Sequence, residues 1–192
     1  MNDNSFHHPS WAWDPVVHGY WVVPGRLLAT EYPGSTDPRK AAVKRAVLLE
    51  AGITSFVDLT EAGEPAGGGL PMRPYGTLMI AEGADRGIAA RYARFGIPDT
   101  GIIDDAGYDE ILAHIATELD DGRIVLAHCW GGKGRTGTVV GSWLIDTEGV
   151  GYPEVIDRLQ ELRRGTRKAH HPVPDTEAQH DVLRRRAQRR GA

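Results

Sequence analysis

Residues 125–137 read VLAHCWGGKGRTG. An apolar run gives way to glycines and then to a helical pattern, so a strand, a tight loop and a helix should follow one another. Gly131, Gly132 and Gly134 allow that loop to turn its backbone N–H groups inward. The helix that follows aims its positive N-terminal end at the same point. The product is a cradle for a phosphate-sized dianion. The stretch also holds Cys129, the one cysteine among 192 residues. A single cysteine excludes an internal disulfide and a zinc site built on several thiolates. It leaves two readings of Cys129 itself, an inert small hydrophobe or a reactive thiol.

Three phosphate motifs compete for the loop. Gly132, Gly134 and Gly137 spell G-x-G-x-x-G, with Asp157 downstream, as in dinucleotide-binding units. That motif belongs to a first βαβ unit, whereas this one comes late, and Asp157 falls in a helical pattern. The nucleotide P-loop fails, because Ala127 stands where its first glycine belongs and Gly134 where Ser or Thr should follow the lysine. The third motif uses every residue. His128-Cys129, five residues, then Arg135-Thr136 is H-C-x5-R-T. It resembles the signature of the cysteine-based protein tyrosine and dual-specificity phosphatases, and the CWGGKGRTG loop is closest to kinase-associated-phosphatase-like bacterial members.

The resemblance implies a mechanism. Cys129 would be the nucleophile, a thiolate at neutral pH in the focus of loop amides, helix N-terminus and Arg135. Arg135 would grip two phosphoryl oxygens in bidentate fashion and follow them into the transition state. Thr136 would donate a hydrogen bond to the sulfur, and His128 would orient the loop. Trp130, Gly131, Gly132, Lys133 and Gly134 would line the substrate phosphate. Expelling an alkoxide or phenoxide needs a general acid. Among Asp99, Asp104 and Asp105 in PDTGIIDD, Asp99 fits the family's acid loop best, Asp104 is the runner-up and Asp105 reads as a helix cap. Asp175 to Gln179, DTEAQ, looks like the family's glutamine loop with Asp175 in place of its first glutamine. Gln179 would then position the hydrolytic water. The chemistry needs no metal or cofactor.

The resemblance implies a phosphorylated protein as substrate, phosphotyrosine ahead of phosphoserine or phosphothreonine. Lys133 supports a phosphoinositide or inositol phosphate alternative. That branch resembles C-K-x-G-K-G-R, and here the first lysine is replaced by Trp130. A phosphate-reading pseudophosphatase is the non-enzymatic alternative, and the presence of Cys129, Arg135 and Asp99 counts against it.

These residues need a scaffold. Residues 20–30 read as two short strands around Pro24-Gly25, and Asp37-Pro38 starts a helix that ends near Gly52. Residues 53–60, 90–97 and 123–129 read as strands. Residues 61–88, rich in Gly and Pro, read as one long surface excursion. Helices are expected at 108–119, 135–149 and 152–165, and after Pro174. Strands separated by helices indicate one α/β domain with a mostly parallel sheet, over 20–192, preceded by an N-terminal segment, 1–19, packed on it. Trp11, Trp13 and Trp21 suit that packing.

Charge and composition exclude other classes. Residues 1–149 carry 12 basic and 20 acidic side chains, and residues 150–192 carry 10 and 6. A net-acidic body argues against nucleic acid. The run RRRAQRR at 184–190 reads as a solvated last helical turn. His7-His8 and His170-His171 lack the spacing of metal ligands on one face. No apolar run is long enough for a membrane span, the N-terminus lacks a signal-peptide pattern, and a cytoplasmic location is expected.

Overall fold

Among the described residues there are five strands, mostly short apolar runs although residues 91–94 read RYAR, and six helices. A computed structural model describes residues 10–65 and 72–191. The expectations for 1–9, including His7-His8, and for 66–71 lie outside the described residues. The strands are β1 (Gly19–Val23), β2 (Leu27–Thr30), β3 (Ser55–Asp58), β4 (Arg91–Arg94) and β5 (Val125–His128). The helices are α1 (Pro38–Glu50), α2 (Gly76–Ala84), α3 (Asp105–Asp120), α4 (Gly134–Glu148), α5 (Glu154–Leu162) and α6 (Glu177–Gly191). The sheet order is β1-β2-β5-β3-β4, with β1 antiparallel to β2 and every other pairing parallel. The sheet is therefore mostly parallel, as the sequence implies, and its antiparallel edge is the hairpin at 19–30.

Side-chain alternation divides the core between the two faces of the sheet. Leu27, Ala29, Val57 and Ala127 pack with α3, α4, α5 and α6. Leu28, Phe56 and Leu126 face the other way, toward α1, α2 and the 11–17 segment. In that segment Trp11 is buried, its indole N–H donates to Val17 O at 2.8 Å, and its ring meets Trp21 edge-on at 5.7 Å. Asp37 caps α1 by accepting from the Arg39 N–H, and Pro38 occupies its first turn.

Two expectations are corrected. The 61–88 excursion contains α2, a nine-residue helix whose Met79 is fully buried. Flanking glycines and prolines obscured it. The basic run at 184–190 is solvated only in part: Arg185, Arg189 and Arg190 are exposed, but Arg186 is buried and the run is paired. Arg186 and Arg190 bind Asp146, Arg186 also binds Asp109, and Arg185 and Arg189 reach Asp105. These pairs fasten α6 to α3 and α4.

Parallel strands carry their sites beyond their C-terminal ends. Thr30, His128 and Asp58 lie side by side there, in register across β2, β5 and β3.

Candidate active site

Cys129 follows β5 directly and is 3% exposed, at the base of the loop that leads into α4. The loop's carbonyls are engaged by Tyr32, by Lys168 and by the first turn of α4. Trp130 O accepts from the Tyr32 N–H at 3.0 Å, Gly131 O from Lys168 Nζ at 3.1 Å, and Lys133 O from the Gly137 N–H at 2.6 Å. That arrangement leaves the N–H side of the loop for an anion. Gly132 has φ 70°, and a Cβ there would lie 2.8 Å from Glu31 N and Thr30 O, so only glycine fits. A Cβ at Gly134 would meet the side chains of Asp175 and Gln179 at 2.9 Å, so the glutamine segment lies directly on the loop.

Arg135, in the first turn of α4, is buried. Its Nη1 donates to Glu64 Oε2 at 2.5 Å and to Ile97 O at 3.0 Å. Its Nη2 donates to Glu64 Oε1 at 2.7 Å and to Asp99 Oδ1 at 2.9 Å. Burial opposes the guanidinium charge, but the Glu64 hydrogen bonds and the charges of Cys129, Glu64 and Asp99 outweigh it and raise the pKa. Each Nη carries two hydrogens, so the four bonds use all of them. The expected bidentate grip on phosphate therefore requires an acceptor to leave. Glu64 is buried and Ile97 O is backbone, whereas the Asp99 side chain is 63% exposed.

Sequence reasoning left Glu64 within the 61–88 excursion, without a role. It stands 71 residues from Arg135, and no local pattern joins them. Asp104, the runner-up acid, is instead the N-cap of α3, accepting from the Gly107 N–H at 2.9 Å. Asp105, expected as the cap, is the first residue of the helix.

His128 sits in a network that sequence reasoning missed. Its Nε2 is 2.5 Å from the Tyr75 hydroxyl and 3.7 Å from Asp58 Oδ1, and its Nδ1 is 3.2 Å from Cys129 O. Burial lowers the His128 pKa, with Arg135 and Arg94 adding to the effect, despite Asp58 and the Cys129 carbonyl. Burial raises that of Tyr75 well above the usual range. A neutral ring with its proton on Nδ1 satisfies every partner: it donates to Cys129 O and accepts from Tyr75. Asp58 is fully buried yet its pKa is lowered: burial opposes the charge, but the hydrogen bonds from Thr60 and Tyr92 outweigh it, and His128 adds to them only when protonated. It accepts from the Thr60 N–H and hydroxyl, the Tyr92 hydroxyl and Arg94.

The remaining expected residues are placed as follows. Thr136 is fully buried, and its hydroxyl has no hydrogen-bond partner among the described residues, so the expected bond to the sulfur is not made. Gln179 is fully buried. Its Oε1 accepts from the N–H groups of Asp175 and Thr176, and its Nε2 donates to Gly101 O at 3.2 Å, tying the segment before α6 to the acid segment. One Nε2 hydrogen remains for another acceptor. Trp130 is half-exposed and leans on the Tyr32 ring at 5.7 Å. Lys133 pairs with Asp175 at 3.3 Å. Among the described residues, no three His, Cys, Asp or Glu side chains could together hold a metal ion.

Residues 18–191 match a family model described as "PTP-SAK: Swiss Army Knife protein, DSP-PTPase phosphatase domain". Solved structures share the fold. Tk-PTP in its active form is 24% identical, with TM-score 0.66 and coverage of 89% of this chain and 97% of that one. Kinase-associated phosphatase, with its catalytic-site cysteine substituted by serine, is 19% identical, with TM-score 0.65 and coverage of 92% and 96%. PTPMT1 in complex with PI(5)P is 15% identical, with TM-score 0.63 and coverage of 87% and 93%.

Proposed function

The chain belongs to the Swiss Army Knife family of DSP-PTPase phosphatase domains, and from that premise we propose that it hydrolyses phosphomonoesters of proteins through a cysteinyl-phosphate on Cys129. The observation that carries the reading is the joint placement of four groups. Cys129 directly follows a central strand, Arg135 lies in the first turn of the next helix, Glu64 locks the guanidinium with both oxygens, and the exposed Asp99 accepts from the same guanidinium.

The steps follow from that placement. A phosphoryl oxygen takes the Arg135 N–H now held by Asp99, and the loop amides receive the others. The Cys129 thiolate attacks phosphorus, the P–O bond breaks, and Asp99, in its acid form, gives its proton to the leaving oxygen. Water then attacks the cysteinyl-phosphate, Asp99 takes its proton, and phosphate departs. Gln179 has an N–H left to orient that water. Thr136 holds an unpartnered hydroxyl in the helix turn beside Arg135, and that hydroxyl suits the sulfur once it becomes the leaving group.

Phosphotyrosine is the favoured substrate, ahead of phosphoserine and phosphothreonine. The second reading, a phosphoinositide or inositol phosphate, is supported by Lys133 in the loop and by the likeness to PTPMT1, solved with PI(5)P. The test is a parallel panel of phosphopeptides and phosphoinositides, with an aryl phosphate as reference and a chelator throughout. Turnover of the aryl phosphate with preference for phosphotyrosine peptides supports the first reading, and preference for the lipids supports the second. Phosphate binding without any turnover would make the protein a pseudophosphatase.

A further inference from the structure

Lys133 is the one lysine of the phosphate loop, and its charge is not free. Its Nζ lies 3.3 Å from Asp175 Oδ1, and both side chains are half-buried. The other Asp175 oxygen lies on the loop itself, 2.9 Å from where a Cβ of Gly134 would stand. The backbone fixes the carboxylate in place, because the N–H of Asp175 donates to Gln179 Oε1 at 3.1 Å, and Gln179 is fully buried. The cations on the other side of the loop are also engaged. Glu31 takes Lys44, Arg167 and Lys168, and Asp58 takes Arg94. Displacing Asp99 from Arg135 thus makes room for one phosphoryl group, and no unpaired cation among these waits for a second.

We infer that Asp175 determines specificity: by neutralising Lys133 and placing a carboxylate beside the cradle, it confines the substrate to a phosphomonoester with no second phosphate adjacent. The inference rests on the phosphatase reading above and narrows its substrate class. A second phosphate near the loop would meet the Asp175 carboxylate instead of a free ammonium, and like charges held together across an interface discriminate strongly against a ligand. Substrates with a neutral or basic group beside the phosphate escape that repulsion.

The experiment compares kcat/KM for a peptide with one phosphotyrosine and the same peptide with two adjacent phosphotyrosines. The wild type should favour the single phosphate by about tenfold. Asp175→Asn, which keeps the shape and the backbone bond, should collapse that ratio to about unity. Lys133→Met on top of Asp175→Asn should remove the gain for the doubly phosphorylated peptide, a dependence that a merely structural Asp175 would not produce. An unchanged ratio in Asp175→Asn, or a wild type that prefers two phosphates, overturns the inference and leaves the phosphatase reading standing. Failure of the wild type to hydrolyse either peptide or an aryl phosphate overturns both.

Discussion

The loop at 129–134 and the segment around Asp99 act together in the proposed reaction, yet they are held in opposite ways. Around Cys129 three anchors are buried: His128 between Tyr75 and the Cys129 carbonyl, Asp58 on three hydroxyl or amide donors, Arg135 on the two oxygens of Glu64. The segment around Asp99 is exposed. The Asp99 carboxylate is held by Arg135, and its neighbour Thr100 has φ 57°. Further along, Thr100 O and Gly101 O accept from Thr176 and Gln179, and the Gly101 N–H closes a turn onto Pro98 O. A group that must match a transition state gains from being fixed beforehand. A group that must yield to substrate and then return gains from a single, exchangeable bond. In this molecule that bond ends on the guanidinium proposed to grip the substrate.

Substitutions on the two sides should therefore fail differently. Arg135→Lys breaks both regions at once, since a lysine cannot hold Glu64 by two bonds and also reach phosphate. Turnover of an aryl phosphate should fall by about 10³-fold or more, and a loss under tenfold would contradict the clamp. Asp99→Ala should cost about 10²–10⁴ in turnover, most for poor leaving groups. It should also tighten inhibition by inorganic phosphate, because it removes the competitor on Arg135. Loss of turnover without tighter phosphate binding would mean that Asp99 does not guard the guanidinium. A larger loss in Asp104→Ala would reassign the acid, although Asp104 is committed to capping α3.

Tyr75→Phe probes the buried side. It leaves His128 Nε2 without its partner and should cost about 1–3 kcal/mol of stability, read by denaturant unfolding. Its effect on turnover should be several-fold, far below that of Asp99→Ala. The smallest effect concerns pH. His18 and His128 are both buried with lowered pKa values, burial being the first cause in each. Both stay neutral when folded, and both gain a proton when unfolded as pH falls below about 6.5. Stability should be level above that pH and decline below it. Asp58, whose pKa is lowered in the fold, adds a further loss in more acidic solution. A Tm that holds constant from about pH 8 to about pH 5 would contradict the neutral histidines.

The sequence disclosed what is local. Strand, loop and helix at 125–148 are contiguous, so the spacing of His128, Cys129 and Arg135 carried its meaning without the fold. Asp37 before Pro38 marked α1 for the same reason. That Asp99 comes near the loop was legible because it follows a strand closely. What joins distant segments was hidden. Glu64 meets Arg135 across 71 residues and Tyr75 meets His128 across 53, and each lies in a Gly- and Pro-rich stretch that masked α2. The carboxylates that receive Arg185, Arg186, Arg189 and Arg190 lie on α3 and α4, so a surface reading of that run missed its pairing. Lys133 was visible, but its neutralisation by Asp175 depends on how the segment before α6 folds back onto Gly134.

The central claim is that Cys129 carries the phosphoryl group during turnover. Acid quenching of the wild-type protein during reaction with an aryl phosphate, followed by peptide mass analysis, tests it most directly. The account predicts one added phosphoryl group on the peptide containing Cys129, and none in Cys129→Ser, which also loses turnover. Undiminished hydrolysis by Cys129→Ser, or a phosphoryl group trapped on another residue, would contradict it.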